Sequence, residues 1–299
     1  MRAFKAGFDG VELMFVENNE QDIITPAEVT GVHAVFPEYW LDFWRGDMKA
    51  CLKELDTTEN VLKMYGGSDR MLLVYKLRSQ FEKARQWNAE YMVLHAMHCT
   101  PEETWTLKFS KTDEEIVEAL CEIINKAIPY DADGPVLLLE NLWESGFTFT
   151  RPEITKKLME GISYPRKGIM LDTGHLAHTN LDLRNPKEAL QHINAQLDKH
   201  GDLCSYIKGI HLNMSVTGAY MKSVMENPPA PLPTYEERMG QLFEYVFRVD
   251  GHRPFVCHGI SDLIDRISPD YLTYEIISNN LPDFMAMLDA QRSIINAGI

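Results

Sequence analysis

The chain of 299 residues lacks any apolar stretch near the ~20 residues of a membrane-spanning helix, so no membrane association is expected. Its first ten residues contain no apolar signal core, and we therefore expect a cytoplasmic protein. The five cysteines are scattered without a CxxC pair, which favours reduced thiols over a disulfide framework. A glycine-rich phosphate loop and a GxSxG motif are also missing, which excludes those two routes to catalysis.

Positive charge is scarce as well. The chain has 29 Lys and Arg residues against 44 Asp and Glu residues, for a formal net charge of −15. Proteins that bind nucleic acid gain much of their affinity from Lys and Arg side chains that neutralise phosphates. A nucleic acid is therefore not the expected ligand, and a small molecule is. The sequence leaves open whether the chain forms a homo-oligomer.

What the chain does contain is typical of a soluble globular protein, with 45% hydrophobic and 24% charged residues. There are no repeats, no low-complexity tracts and no linker long enough to separate two domains. We therefore predict a single domain that spans residues 1–299.

Short apolar runs alternate with longer amphipathic stretches. The runs cover residues 8–15, 31–37, 90–97, 135–141, 168–173, 206–213 and 271–277. Continuous apolar runs of this length are typical of strands buried on both faces of a parallel sheet. Helix-start signals precede the amphipathic segments at 68–87, 112–127, 185–197 and 234–246. The alternation predicts an α/β fold.

Metal-capable side chains stand at or just after the ends of six of these runs. They are His33, His95, Glu140, Asp172 with His175 three residues later, His211 and Glu275. In a barrel of parallel strands, such residues converge at the C-terminal mouth, where these folds place their active sites. Because unpaired buried charge is costly, a divalent metal is the simplest partner for them. Each residue alone is as easily a satisfied core or loop residue, and only the joint pattern favours a metal site.

Other histidines fit simpler interpretations. We expect His98 and His178 to face solvent and His192 and His200 to lie on the surface. The weak apolar run at 252–259 is a candidate for one more strand.

Five segments together resemble one superfamily, the xylose-isomerase-like TIM barrels, which include sugar isomerases, epimerases and endonuclease IV. The segments are GFDGVEL (7–13), LLLEN (137–141), LDTGH (171–175), IHLN (210–213) and YLTYEI (271–276). The resemblance implies a (β/α)8 barrel. Members normally begin with a strand and a helix before the first segment, and this chain starts only six residues before it. Whether the usual first strand is missing is therefore left open.

In the isomerase and epimerase branch, the resemblance implies one divalent ion held by four residues. These are Glu140, Asp172, His211 and Glu275. Glu140 and Glu275 would also be the acid and base that move a proton next to a carbonyl, with His175 as a catalytic contact to substrate oxygens. Asn141, Asn213 and Trp143 are the expected substrate-binding residues. Our first hypothesis is therefore a sugar or sugar-phosphate isomerase or epimerase that uses Zn, Mn, Co or Mg.

In the endonuclease IV branch, the resemblance implies three metal ions. The matching additional ligands are His33, His95, His175, Asp250 and His252. The second hypothesis is therefore a hydrolase with up to three ions that acts on a phosphoester. This chain differs from the epimerase branch because no Arg follows the IHLN segment closely. It differs from the endonuclease IV branch because Asp250 lies 39 residues after His211. A non-catalytic sugar-binding barrel is the third hypothesis.

Overall fold

Seven parallel strands form a nearly closed barrel with helices between them, in a computed structural model that describes residues 7–14 and 24–297. The strands are paired in chain order from β1 to β7. They are β1 Val11–Met14, β2 Val29–His33, β3 Tyr91–His95, β4 Val136–Glu140, β5 Lys167–Asp172, β6 Ile207–Leu212 and β7 Tyr271–Tyr274. The predicted TIM-barrel architecture is confirmed. Phe15, at the end of the first predicted run, lies outside the described residues.

Helices connect the strands and cover the outside of the barrel. They are α1 Leu41–Arg45, α2 Met48–Leu55, α3 Thr58–Tyr65, α4 Met71–Gln86, α5 Pro101–Thr106, α6 Asp113–Ala127, α7 Pro152–Gly161, α8 Thr173–His178, α9 Pro186–His200, α10 Gly218–Glu226, α11 Tyr235–Val249, α12 Ile260–Ile267 and α13 Leu281–Asn296. Short 3-10 helices occupy Pro26–Glu28 and Gly201–Tyr206. Across the described ranges, no helix combines the length and the apolar character needed to cross a bilayer.

The predicted helix starts are confirmed where a side chain caps the helix. Thr112 forms a capping box with Glu115 at the start of α6, and Thr234 does the same at the start of α11. The helix predicted from residue 68 instead begins at Met71. There the Asp69 carboxylate accepts the Met71 N–H at 2.9 Å, so residues 68–70 form the turn before the helix.

The strand register brings the chemically active residues to one end of the barrel. His95 on β3 is the register partner of Glu140 on β4. Asp172 on β5 is likewise the partner of His211 on β6. All four residues lie at or near the C-terminal ends of parallel strands, so backbone pairing alone places them at the same mouth.

Two apolar layers support this mouth. Inside the barrel, Tyr91, Val93, Leu138 and Met170 pack together below the polar residues. The alternate residues of the same strands, such as Leu139, face the surrounding helices. This alternation is what a closed set of strands requires, and it fills the barrel so that the polar mouth lies on a packed floor.

Side chains rather than a backbone ladder link β1 and β7 across the remaining gap. Within the described residues, no ladder joins these two strands. The Tyr91 hydroxyl donates to Glu12 of β1 at 2.9 Å and lies 3.0 Å from the Thr273 hydroxyl of β7. The rings of Phe8 and Tyr274 also meet edge to face, with centroids 5.7 Å apart.

The candidate strand at 252–259 was a wrong prediction. Arg253 forms a single antiparallel bridge with Met214, and the rest of this segment is irregular. Pro254 explains the failure, because proline lacks the N–H that a ladder needs.

We predict that Gly31→Ala destabilises the barrel. A Cβ at this position would lie 2.1 Å from the Tyr91 ring, inside the packed interior. The expected loss is ~1–3 kcal/mol of unfolding free energy, measured by chemical denaturation. Gly240→Ala on α11 is the control, because its Cβ would meet nothing within 4 Å. Equal stability of the two variants would contradict the close packing at Gly31.

Candidate metal centre

Nine side chains that could bind metal meet at the C-terminal mouth in three groups. The groups are His33, His95 and Glu140; Glu140, Asp172, His211 and Glu275; and His175, Asp250 and His252. Within each group, one ligand atom from every residue lies within 4.8 Å of the others. The structure therefore brings together every residue that the sequence predicted as a metal ligand.

Glu140 occupies the centre of this arrangement, and its carboxylate is fully buried. Its Oε2 atom lies 3.0 Å from His33 Nε2 and 3.4 Å from His95 Nε2. Its Oε1 atom lies 3.2 Å from His175 Nδ1 and 3.3 Å from His211 Nδ1. The two oxygens of one carboxylate thus face different sets of imidazoles.

The turn from β5 into α8 positions His175. Asp172 caps α8, and its Oδ1 accepts the backbone N–H of His175 at 2.5 Å. The imidazole of His175 lies between the carboxylates of Glu140 and Asp250. Its Nδ1 atom faces Glu140, and its Nε2 atom is 3.1 Å from Asp250 Oδ2. Asp250 in turn lies 2.6 Å from His252 Nε2.

The three predicted substrate-binding residues support this centre from different sides. Asn141 donates to the Asp172 carbonyl at 3.0 Å and accepts the Asp172 N–H at 2.9 Å. Asn213 donates to the Asp172 carboxylate at 2.6 Å. The Trp143 ring is buried 5.1 Å from the His175 ring. These contacts make both asparagines supports of Asp172, and the predicted contacts with a substrate stay predictions.

The buried charges shift one another strongly. Burial raises the pKa of Glu140, but the surrounding imidazoles, led by His211 and His95, hold that pKa well below its usual range. For Asp172, burial prevails over the attraction of His175, and the pKa lies well above its usual range. Burial disfavours charged His252, yet the carboxylates of Asp250 and Glu275 raise its pKa to about 9.

Several atoms of the centre have unused bonding capacity that suits a cation. Glu140 Oε1, His211 Nδ1 and Asp250 Oδ1 are buried and lack a hydrogen-bond partner among the described residues. His211 Nδ1 lies 3.3 Å from both Glu140 Oε1 and Glu275 Oε2. Two ligands that are each ~2.1 Å from one ion are separated by about this distance. The residues therefore fit a divalent metal.

Glu12 was missed in the sequence. Its Oε2 atom lies 3.0 Å from His211 Nε2, on the side of the ring opposite Glu140. A carboxylate in this position accepts the Nε2–H and holds the ring so that Nδ1 faces the centre. The sequence feature that could have identified Glu12 is its position as the one acidic residue in the apolar strand at the end of the GFDGVEL segment.

The expectation that His98 and His178 face solvent was wrong, since both are buried. His98 Nδ1 accepts the backbone N–H groups of Trp40 and Leu41, and burial lowers its pKa to about 4. Burial also lowers the pKa of His178 to about 4. Of the two expected surface histidines, His200 is buried against Phe149, and only His192 keeps partial exposure.

A parallel-stranded barrel with a cluster of imidazoles and carboxylates at its mouth defines a class of metal-capable TIM barrels. Residues 2–227 match the model of the family described as the xylose isomerase-like TIM barrel, and the chain belongs to this family. The predicted superfamily is therefore confirmed. The predictions of one domain over residues 1–299 and of a cytoplasmic location stay predictions.

Among curated proteins, the chain is similar to a "Probable endonuclease 4" of Mesomycoplasma hyopneumoniae, with 29% identity over 142 residues. A "Probable endonuclease 4" of Malacoplasma penetrans is 25% identical over 154 residues. The first match covers 47% of this chain and 46% of the relative, and the second covers 50% and 47%. The chain thus spans just under half the length of these relatives.

Among solved structures, a D-tagatose 3-epimerase-like protein aligns with a TM-score of 0.51 and 18% identity, covering 97% of this chain and 90% of that one. Endonuclease IV from Thermus thermophilus aligns with a TM-score of 0.45 and 20% identity, covering 76% and 70%. The epimerase-like match shows the shared fold. The family is generally enzymatic. The expectation against nucleic acid gains no support from these comparisons.

We predict that Glu12→Gln weakens metal binding. The amide cannot accept the His211 N–H as strongly as the carboxylate does, so the ring is held less firmly. Loss of such a supporting carboxylate costs ~10–100-fold in metal affinity, measured by competition with a chromophoric chelator. Glu226→Gln on exposed α10 removes the same charge and should leave affinity unchanged. Equal affinities in the two variants would contradict the role of Glu12.

Metal binding should release protons. The pKa values of His175, His211 and His252 are raised, so these rings hold protons that a metal must displace. Zn²⁺ affinity should therefore rise between pH 6 and pH 8, below the raised pKa of about 9 at His252. Titration calorimetry in two buffers of different ionisation enthalpy measures the released protons. If metal binding released no protons across this range, the three histidines would not be protonated as their raised pKa values predict.

Proposed function

We propose that this protein is a metal-dependent hydrolase that holds more than one divalent ion and acts on a phosphoester. The observation that carries the proposal is the position of Glu140 between two sets of ligands. One of its oxygens faces His33 and His95, and the other faces His175 and His211. A carboxylate that serves two sets through different oxygens is suited to bridge neighbouring ions.

Divalent ions in these three groups would supply charge neutralisation for phosphoryl oxygens and a water molecule of lowered pKa. Other contacts within the chain hold the ligand side chains in position for this chemistry. Asn213 holds the Asp172 carboxylate and also lies 3.3 Å from Glu275. Asp250 orients His175 and His252 from one side.

The exposed members of the centre indicate where a substrate approaches. His95 is 39% exposed and Glu275 is 26% exposed at the side chain, whereas Glu140 and Asp172 are fully buried. A phosphoester would thus meet the centre between β3 and β7. The curated relatives carry the name "Probable endonuclease 4", which supports phosphoester chemistry as the class.

A sugar isomerase or epimerase is the second candidate, and one observation favours it. Glu140, Asp172, His211 and Glu275 form a complete group of their own. Glu140 and Glu275 each lie 3.3 Å from His211 Nδ1, so both can reach one ion and face one substrate. This reaction needs a single ion and makes no use of His33 or His95.

His95→Asn separates the two candidates. If the protein is a multinuclear hydrolase, this variant loses a ligand of the first group, and hydrolysis should fall by at least ~10–100-fold. Suitable substrates are bis(p-nitrophenyl) phosphate and a duplex with an abasic site, assayed with the Zn²⁺-loaded protein. His258→Asn is the control, because His258 is exposed and outside all three groups.

Two outcomes would contradict the proposal. The first is full hydrolysis by His95→Asn, because hydrolysis would then not depend on the first group of ligands and the bridged arrangement would be wrong. The second is absence of hydrolysis in the parent protein together with conversion of a ketose. That second result would establish the isomerase, and its dependence on Glu275 should then appear in Glu275→Gln.

A further inference from the structure

Two of the three residues in the third group of ligands, Asp250 and His252, reach the barrel mouth by a long detour of the chain. After β6 the chain forms helices α10 and α11, so that Asp250 lies 39 residues after His211. Residues 249–253, here called the return segment, lie outside the seven strands of the barrel. The pairing of those strands therefore does not position them, and other contacts must hold the return segment at the mouth.

The chain directly after β6 holds the return segment around His252. Met214 N–H donates to the Arg253 carbonyl at 2.7 Å, and Arg253 N–H donates to the Met214 carbonyl at 3.3 Å. On the other side of His252, Gly251 N–H donates to Ser215 Oγ at 2.8 Å. His252 thus lies between two residues whose backbones are both anchored to the end of β6.

Thr217 anchors the beginning of the return segment. Its Oγ1 donates to the Val249 carbonyl at 2.8 Å, directly before Asp250. Because Thr217 precedes α10 and Val249 ends α11, this one bond closes the two-helix insertion at its base. The four hydrogen bonds are called the clasp below, and they join Met214, Ser215 and Thr217 to Val249, Gly251 and Arg253.

The backbone of His252 shows why this segment needs anchoring. Its φ is +44°, in the left-handed region that residues with a Cβ seldom adopt. Such a conformation persists only where the surrounding structure fixes it, and it is frequent at functional sites. The His252 carbonyl also accepts the Ile277 N–H at 3.2 Å, two residues after Glu275. In this conformation, His252 Nε2 lies 2.6 Å from Asp250 Oδ2.

The clasp holds groups that have bonding capacity left for a ligand. Asp250 Oδ1 and His252 Nδ1 are buried and lack a hydrogen-bond partner in the part of the chain that the structure describes. Asp250 Oδ2 lies 3.1 Å from His175 Nε2, so the return segment faces the third member of its group. An ordinary structural turn would leave no such buried polar atoms unpaired, because they are costly.

We infer that Ser215 and Thr217 are positioning residues for the third group of ligands. Their hydroxyl groups bond the backbone on either side of Asp250, and so keep Asp250 and His252 in front of His175. Ser215 is buried, so water cannot easily replace its hydroxyl as the partner of the Gly251 N–H. The binding of an ion by this group rests on the proposed function, whereas the placement of the return segment by the clasp does not.

The first test measures ion affinity in the full chain loaded with Zn²⁺. In the double variant Ser215→Ala, Thr217→Val, competition with a chromophoric chelator should show one ion bound at least ~tenfold more weakly, with the other ions unchanged. Thr217→Ser keeps the hydroxyl and should bind as the parent protein does. The matched control is Thr155→Val, Ser205→Ala, which removes two hydroxyls that donate to backbone carbonyls outside the three groups.

The second test needs no metal. In metal-free protein with nitrogen-15-labelled histidine, Ser215→Ala should shift the NMR resonances of the His252 and His175 rings and leave those of His33 unchanged. This single variant removes one bond of the clasp, and it guards against a folding defect in the double variant.

The inference is overturned if the folded double variant binds every ion as tightly as the parent protein, or if the His252 ring resonances do not move. It is also overturned if the control variant weakens one ion equally, because a general loss of stability would then explain the effect. A parent protein that holds a single ion would contradict the proposed function, and the His252 resonances would then decide alone whether the clasp positions the return segment.

Discussion

Burial of the Glu140 and Asp172 carboxylates at the mouth of the barrel is the constraint on which the rest of the site depends. A buried carboxylate without a partner is among the most costly groups in a protein interior. Here the fold surrounds Glu140 with imidazoles from four elements, so that ring nitrogens face both of its carboxylate oxygens. The negative charge of these buried carboxylates must therefore be balanced by bound protons or by metal ions.

The same constraint explains how the barrel is held together where its ladder is incomplete. Glu12 on β1 accepts from Tyr91 and lies against His211 of β6, while Tyr91 also contacts Thr273 of β7. These polar contacts cross the gap between the first and last strands directly beneath the candidate metal centre. The Glu12 carboxylate therefore helps both to hold the first and last strands together and to orient the His211 ring.

Much of the site could be predicted from the sequence for a topological reason. Parallel strands place their C-terminal ends together, so polar residues at strand ends such as His95 and Asp172 had to converge once the strands were recognised. The helix starts at Thr112 and Thr234 were predictable because capping depends on neighbouring residues only.

The residues that were missed depend on contacts that local patterns do not contain. Glu12 contacts His211, which lies 199 positions further along the chain, and a single strand pattern does not reveal such a contact. His98 was assigned to solvent because its partners, the N–H groups of Trp40 and Leu41, lie more than 50 residues away.

The central claim is that Glu140 joins two sets of ligands that hold separate ions. Elemental analysis of the purified protein, after loading with Zn²⁺ and removal of free metal, measures this most directly. The account predicts two or three ions per chain, falling to at most one in Glu140→Gln. A single ion per chain in the parent protein would contradict the bridged centre and leave the one-ion isomerase as the better description.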